Sequence, residues 1–409
     1  MKLISAVFLF LIWSSATVAQ NNAIDKQLLW EISIPGSKEK SYLFGSIHSN
    51  DKRVFSLADS VYVAMSRAKT IITEVDLFSM FSDFDTRGTL PTTIYDKEGN
   101  PYTADARGTE TAYGSEDGMP QFLDAYFQNY CYNAGKQYLP LETAKQQMDL
   151  LVDLPLSEKK VLNATMVDFS REKLIDLYLK GDIYQIDRFM RANLTLDAAA
   201  YEKLIVNRNT KMVTDLDNLL KTKTQFFCAV GAGHLGGSQG MVALMRSKGY
   251  KLRQLTWNVS EIPLKEKLEV RSKKQFQYRN PDIGLTVFFP GKPLEIAQED
   301  GSTLLIHREL GQGNTYQVEI FPNDETTTPE EWASIFIASP ANSPIKKRYN
   351  DDGSYFFYGI SDSYPEGLSW VQVQFYENYV CVTKVYGGNK FMHSDRPMKF
   401  FEKVWFGVD

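Results

Sequence analysis

The chain is short of the residues that build disulfide or zinc scaffolds. Its 409 residues include three cysteines, Cys131, Cys228 and Cys381, odd in number and far apart. An exported protein held by disulfides carries a denser, even set. No C-x-x-C pair occurs, which removes zinc-ribbon and thioredoxin-type sites. An excess of one charge is also lacking: 45 Lys and Arg stand against 50 Asp and Glu, a net −5. That balance argues against a nucleic-acid binder. No apolar run approaches the roughly 18 residues that a membrane helix needs, so no transmembrane anchor is expected. Histidine is scarce as well, with His48, His234, His307 and His393 the full set.

What is present begins with a processing pattern. Residues 1–19 read as a signal peptide: Lys2, an apolar Leu3–Trp13, then Thr17-Val18-Ala19 as a small-residue cleavage site. Export to the periplasm or secretion is the expectation. The absence of a cysteine at the cut speaks against lipid attachment. The remaining length suits two domains at about 100–200 residues each. Residues 20–262 alternate strand and helix patterns. Residues 263–274 are charged and linker-like. Residues 275–409 read as an α+β domain, an antiparallel sheet with helices.

Within the first domain, Pro35-Gly36-Ser37 reads as a hairpin turn. A helix is expected from Ser56, with Asp59 in a capping-box position, and a strand over Thr70–Val75. Residues 85–118 are polar and turn-rich, a surface insertion or a flap. Residues 119–222 read as mostly helical: Leu141-Glu142-Thr143 opens one helix, Arg171–Lys180 forms another ended by Gly181, and Leu196–Leu220 forms a third. Phe226–Val230 is a continuous apolar strand. A glycine-rich turn, a short helix stopped by Gly249 and a strand over Tyr250–Leu255 follow. The expected fold is α/β: a mixed sheet from two pseudo-symmetric βαβ halves with a helical insertion, plus the C-terminal α+β domain.

His48 and His234 share one context: strand, Gly-x-x-His, turn, helix, strand. Their glycines are Gly45 and Gly231, and Gly233 lies inside the second turn. Such histidines project at the carboxyl edge of a sheet, where α/β folds place ligands. Glu74 ends the partner strand of the first unit at the same edge. Two imidazoles and a carboxylate make a first shell for a transition metal with positions left for water and substrate. For each histidine taken alone, the bland alternative is a hydrogen-bonded structural role; Asp76 reads as a supporting or turn residue, and His307 and His393 as surface or structural. Gly231–Gly236 also fits G-x-G-x-x-G, the dinucleotide fingerprint. No carboxylate ends the following strand, where Leu255 leads into Thr256-Trp257-Asn258, so a nicotinamide or flavin site is set aside.

Several of these stretches together resemble the TraB/GumN family, which includes the Tiki-type metalloproteases and is related in fold to erythromycin esterase and the haem-binding ChaN proteins. The carrying residues are Tyr42-Leu43-Phe44-Gly45-Ser46-Ile47-His48 and Thr73-Glu74-Val75-Asp76. Leu141-Glu142-Thr143 with Gln147, Gly181-Asp182 and Arg208-Asn209 follow. Val230-Gly231-Ala232-Gly233-His234-Leu235 with Gly240, Leu244 and Gly249-Tyr250 is the most specific element. Residues 85–118 depart from the family's compact strand–helix passage. The resemblance implies both histidines and Glu74 facing one cleft. For the Tiki branch it implies peptide cleavage with manganese or cobalt; for the esterase branch, hydrolysis with a histidine base and no obligatory metal. The expectation is thus a secreted or periplasmic metal-dependent hydrolase that cleaves peptides, with a peptide or small molecule as its partner. His48, Glu74 and His234 hold the ion (manganese, cobalt or zinc), and Arg208 or Asn209 stabilises an oxyanion or positions substrate. The alternatives are a metal-free hydrolase with His48 as base oriented by Glu74, or a non-catalytic protein that sequesters a peptide or haem. Phe288-Phe289-Pro290-Gly291-Lys292-Pro293 in the second domain resembles PsbP/Mog1-type α+β sandwiches.

Overall fold

A computed structural model describes residues 26–34, 36–79, 94–95, 101–102, 110–111, 114–115, 119, 121–152, 171–194, 201–222, 224–259, 276–311, 313–323, 326–337, 344–350, 353–363, 367–376 and 378–406. The expected signal peptide at 1–19, the expected linker at 263–274 and most of 85–118 fall outside these residues.

The N-terminal unit is built on a six-stranded mixed sheet. Strands β1 (Leu29–Ser33) and β2 (Lys40–Ser46) form the expected hairpin, with Gly36 at φ 76° in the turn. Helix α1 (Asp59–Arg67) follows and buries Val61, Tyr62, Ala64 and Met65. Its N-cap is Ala58, which makes no side-chain cap, so the expected capping box is not formed; a 3-10 turn at Lys52–Phe55 precedes it instead. Strand β3 (Thr70–Val75) comes next, then helix α2 (Leu123–Asn133).

Strand β4 (Gln137–Glu142) was not foreseen in this mostly helical stretch. It pairs parallel with β3, Val75 opposite Glu142. Short and at the sheet edge, it carries little of the apolar alternation that marks a strand. Helix α3 (Ala144–Val152) begins only after it. Helices α4 (Arg171–Lys180) and α5 (Ile183–Leu194) are separated by Gly181 at φ 69°. Of the long helix expected over Leu196–Leu220, residues 196–200 lie outside the described residues, and the rest is a π-helical turn, Glu202–Val206, running into α6 (Asn207–Lys221).

Strand β5 (Phe226–Gly231) lies at the centre of the sheet, parallel to β2 and β3. Phe226 to Val230 are all fully buried. A strand covered on both faces reads as an unbroken apolar run for that reason. Helix α7 (Met241–Ser247) packs back, Gly249 ends it at φ 91°, and strand β6 (Lys251–Gln254) follows. That last strand crosses to the far edge and pairs antiparallel with β1. The strand order is therefore β6-β1-β2-β5-β3-β4.

The C-terminal unit holds two antiparallel sheets rather than one. Strands β7 (Phe276–Asn280) and β8 (Leu285–Phe289) belong to a three-stranded sheet closed by β16 (Val404–Phe406). The larger sheet comprises β9 (Leu294–Ala297), β10 (Thr303–Arg308), β11 (Thr315–Pro322), β12 (Lys346–Tyr349), β13 (Tyr355–Ser363), β14 (Gly367–Tyr376) and β15 (Tyr379–Tyr386). Its order is β9-β10-β11-β15-β14-β13-β12. Leu285, Val287, Phe289, Leu305, Val318 and Phe400 share the core between the sheets. Helix α8 (Pro329–Phe336) covers the other face, started by the Thr328/Glu331 capping box that its sequence announces. Two short helices, α9 (Asn389–Met392) and α10 (Arg396–Phe401), precede β16.

The two units meet beside the carboxyl end of β3. Val75, Leu77, Phe122 and Ala125 enclose Leu310, and Asn50 Nδ2 donates to the Gly311 carbonyl at 3.0 Å. His307 is buried, which takes the structural of its two readings, and lies near Phe78 with ring centroids 6.2 Å apart. Gly291 must be glycine here, since a Cβ would stand 2.2 Å from His307 Cε1.

Candidate active site

The two Gly-x-x-His turns leave neighbouring parallel strands at the same sheet edge. Gly45 pairs with Val230 and Ser46 with Gly231 in the β2–β5 register. The turns touch: a Cβ on Gly45 would lie 2.8 Å from Leu235 Cδ1 and 3.1 Å from Ala232 Cβ. Glu74, next to last in β3, opens at this edge as well.

Glu74 is held from three sides. Gly231 N–H donates to Oε2 at 3.0 Å, Gln147 Nε2 to Oε1 at 3.2 Å, and Arg208 Nη2 to Oε1. Burial opposes the Glu74 charge, but the Arg208 guanidinium and the Gly231 N–H outweigh it and hold the carboxyl pKa below its ordinary value. Arg208 also grips Glu142, which is 3% exposed, through Nε at 2.9 Å and Nη2 at 2.7 Å. Two carboxylates around one guanidinium leave the cluster with a formal charge of −1.

His234 sits in the 3-10 turn Ala232–His234 and is buried. Asn209 Nδ2 donates to the Gln239 carbonyl at 2.8 Å, which orients its amide. Its Oδ1 therefore faces His234 Nδ1 at 2.7 Å, and the proton of the neutral ring belongs on Nδ1. Burial pushes the His234 pKa below its ordinary value, against the pull of Glu74. Nε2 then presents a bare lone pair to Glu74 Oε2, 3.8 Å away. Two acceptors facing each other in a buried place call for a bridging hydrogen-bond donor or cation.

The remaining glycines of this turn serve packing. A Cβ on Gly236 would lie 2.1 Å from the Ile183 carbonyl oxygen, so α5 approaches the turn backbone directly. Asp187 of that helix binds Arg191 at 3.0 Å and Tyr201 Oη at 2.7 Å. With the Gly231 N–H on Glu74 and Gly236 under α5, the turn forms no phosphate cradle.

His48 stands apart from this cluster. Its side chain is 58% exposed, its ring lies on Phe122 with centroids 4.1 Å apart, and Nδ1 is 3.5 Å from Asp124 Oδ2. Ser46 Oγ donates to the other Asp124 oxygen. The carboxylate facing His48 is thus Asp124 of α2, where the sequence reading had Glu74. Glu74, His234, Arg208 and Asn209 are brought into mutual contact, and His48 is placed at the same edge in a separate contact set. Arg208 and Asn209 are engaged in holding Glu74 and His234. Asp124 escaped the sequence reading because nothing in the Leu123–Asn133 helix pattern marks one acid as special; its partner Ser46 lies 78 residues back.

Among the described residues, no group of three or more His, Cys, Asp or Glu side chains is set to hold a metal ion. Two of the three expected donors nevertheless suit one. His234 Nε2 and Glu74 Oε2, unprotonated and 3.8 Å apart, lie within the span that two ligands of one ion take at about 2.0–2.2 Å each. The third, His48, is turned to Asp124.

A mixed α/β unit with paired Gly-x-x-His turns and a carboxylate at one sheet edge is the class defined by this fold. A model described as the TraB/PrgY/gumN family matches residues 28–113 and 100–254, over half of the chain, and the chain belongs to that family. It is similar to Metalloprotease TIKI2 of Danio rerio, 23% identical across 69% of this chain and 71% of that protein. A solved structure with local similarity is the solution structure of cyanobacterial PsbP (CyanoP) from Synechocystis sp. PCC 6803. It is 10% identical, covers 33% of this chain and 93% of its own, and has a TM-score of 0.26. No helix among the described residues is long and apolar enough to cross a membrane.

Proposed function

We propose that the protein is an exported metal-dependent hydrolase that cleaves peptide bonds at the carboxyl edge of the N-terminal sheet. The observation that carries this is the bare Nε2 of His234 facing Glu74 Oε2 in a cluster of net negative charge, beside the His48 turn. The family and its metalloprotease relative support it. His48, Glu74 and His234 would hold a divalent transition ion: manganese, cobalt or zinc. Such an ion would supply a nucleophile near neutral pH by lowering the pKa of water to about 7. The chain's own residues do the positioning. Asn209 keeps the His234 proton on Nδ1 and Nε2 open, while Arg208 and Gln147 fix Glu74. For His48 to join them, its ring swings away from Asp124. Metal content of the purified protein, measured beside peptidase activity with and without chelator, tests the reading. A stoichiometric transition metal and activity lost on chelation are expected. Full activity in chelator with no bound metal refutes it.

One observation favours a second reading, hydrolysis without metal: the His48–Asp124 contact. In it Asp124 orients the ring, exposed His48 takes a proton from water attacking the substrate carbonyl, and then passes it to the leaving amine. His48→Ala abolishes activity under both readings. His234→Ala abolishes it only under the first and reduces it modestly under the second.

A further inference from the structure

The C-terminal unit carries a groove that the hydrolase readings do not use. The three-stranded sheet covers the large sheet over β10, β11 and β15, and the same face continues uncovered over β12–β14. There α10 and β16 form one wall of an open groove of about 750 Å³. We propose that this groove binds an extended peptide segment running along β14, with apolar side chains at alternate positions and an acidic residue toward β12.

Two side-chain oxygens without hydrogen-bond partners belong to residues that line it. Gln372 is only 3% exposed, and its Oε1 has no hydrogen-bond partner. Oε1 of Gln374 likewise has no hydrogen-bond partner. Buried polar atoms are almost always paired, and a row of unpaired ones marks a place where a partner is expected. Gln372 and Gln374 are two residues apart on one face of one strand. That separation, about 6.6–6.8 Å, is also the repeat of same-side peptide groups in an extended chain. Each side-chain amide offers one donor and one acceptor edge, as a peptide group does.

The walls fit the alternate side chains of such a segment. Phe356 and Tyr358, paired with Gln374 and Gln372, and Trp405 of β16 supply apolar surface. Tyr376 stacks on Phe406 at 4.8 Å between centroids and closes one side. The rim opposite is β12, fully exposed and basic, with Arg348 facing the groove and Lys346 over the Tyr358 ring at 5.8 Å. A carboxylate of the peptide complements it. Strand β16 ends its sheet, so its outer edge offers backbone groups to an added strand as well. A glycan would also suit aromatic walls, but it does not repeat at strand spacing.

This proposal stands independently of the peptidase reading. The probe is a fluorescein-labelled nonapeptide alternating valine or phenylalanine with serine and ending in two aspartates, titrated by anisotropy into the full chain. Saturable binding is expected. In the Gln372→Leu/Gln374→Leu variant, binding weakens about ten-fold or more, as loss of two hydrogen bonds implies. The melting temperature of that free variant is unchanged or higher, because it loses two buried oxygens that have no hydrogen-bond partner in the free protein. Methylation of alternate peptide nitrogens abolishes binding. The proposal is overturned if the peptide does not saturate, if the methylated peptide binds equally, if the variant melts lower and binds unchanged, or if chitohexaose binds and displaces the peptide.

Discussion

Replacing Arg208 by Met removes the one cation that two buried carboxylates share. Arg208 is 14% exposed at its side chain, Glu142 3% and Glu74 22%, so solvent compensates little. The guanidinium donates to Glu142 from Nε and Nη2, to Glu74 from Nη2, and to the Leu204 carbonyl from Nη1 at 3.1 Å. Breaking a buried pair of this kind costs about 3–5 kcal/mol, because a charge is left without its partner. That is a large share of the roughly 5–15 kcal/mol that holds a domain folded. Urea unfolding of wild type and Arg208→Met at neutral pH measures it. A second change, Glu142→Gln, removes one of the stranded charges and recovers part of the loss, giving a coupling of at least about 1 kcal/mol. The methionine variant should also gain stability as pH falls toward 5, since one of the two crowded carboxylates then takes up a proton. A cost below about 1 kcal/mol, or strict additivity in the double variant, refutes the view that these charges form one unit.

Further outcomes follow from other parts of the molecule. Burial holds the His307 pKa down at about 4, below its ordinary 6.5, so the unfolded chain binds the extra proton. Its contribution is intact above pH 6.5 and fades as pH falls toward 4, by about 2 kcal/mol at pH 5; His307→Gln should flatten that part of a thermal-melt series. Under the metal-free reading Asp124→Asn should lower hydrolytic activity about 100-fold through loss of the partner of His48, with expression and melting near wild type; unchanged turnover would refute that reading. Gly236→Ala drives a methyl group into the Ile183 carbonyl oxygen and should cost roughly 2–3 kcal/mol, read as a lowered denaturation midpoint.

Much of the architecture is legible from the residues. The apolar run at Phe226–Val230 announces a doubly covered central strand, Gly249 stops α7 with a left-handed φ, and Thr328-Pro329-Glu330-Glu331 starts α8. These are local effects of period, backbone freedom and capping, written within a few residues. The edge strand Gln137–Glu142 was not legible, because its Leu139 is exposed and its Pro140 sits where a helix or a loop would serve equally. Nor was the destination of β6, since pairing with β1 depends on which sheet edge is open and not on the four residues themselves.

The candidate site divides in the same way. By itself the sequence determined which groups stand at the carboxyl edge, because strand, glycine and histidine follow one another in both halves and Glu74 closes a strand. Only the tertiary structure decided which of them touch. Arg208, from a helix 134 residues away, pairs with Glu74, Asn209 sets the tautomer of His234, and Asp124 stands behind His48. The physical reason is range: backbone conformation is set by near neighbours, whereas hydrogen-bond partners and desolvation are set by segments that only folding brings together.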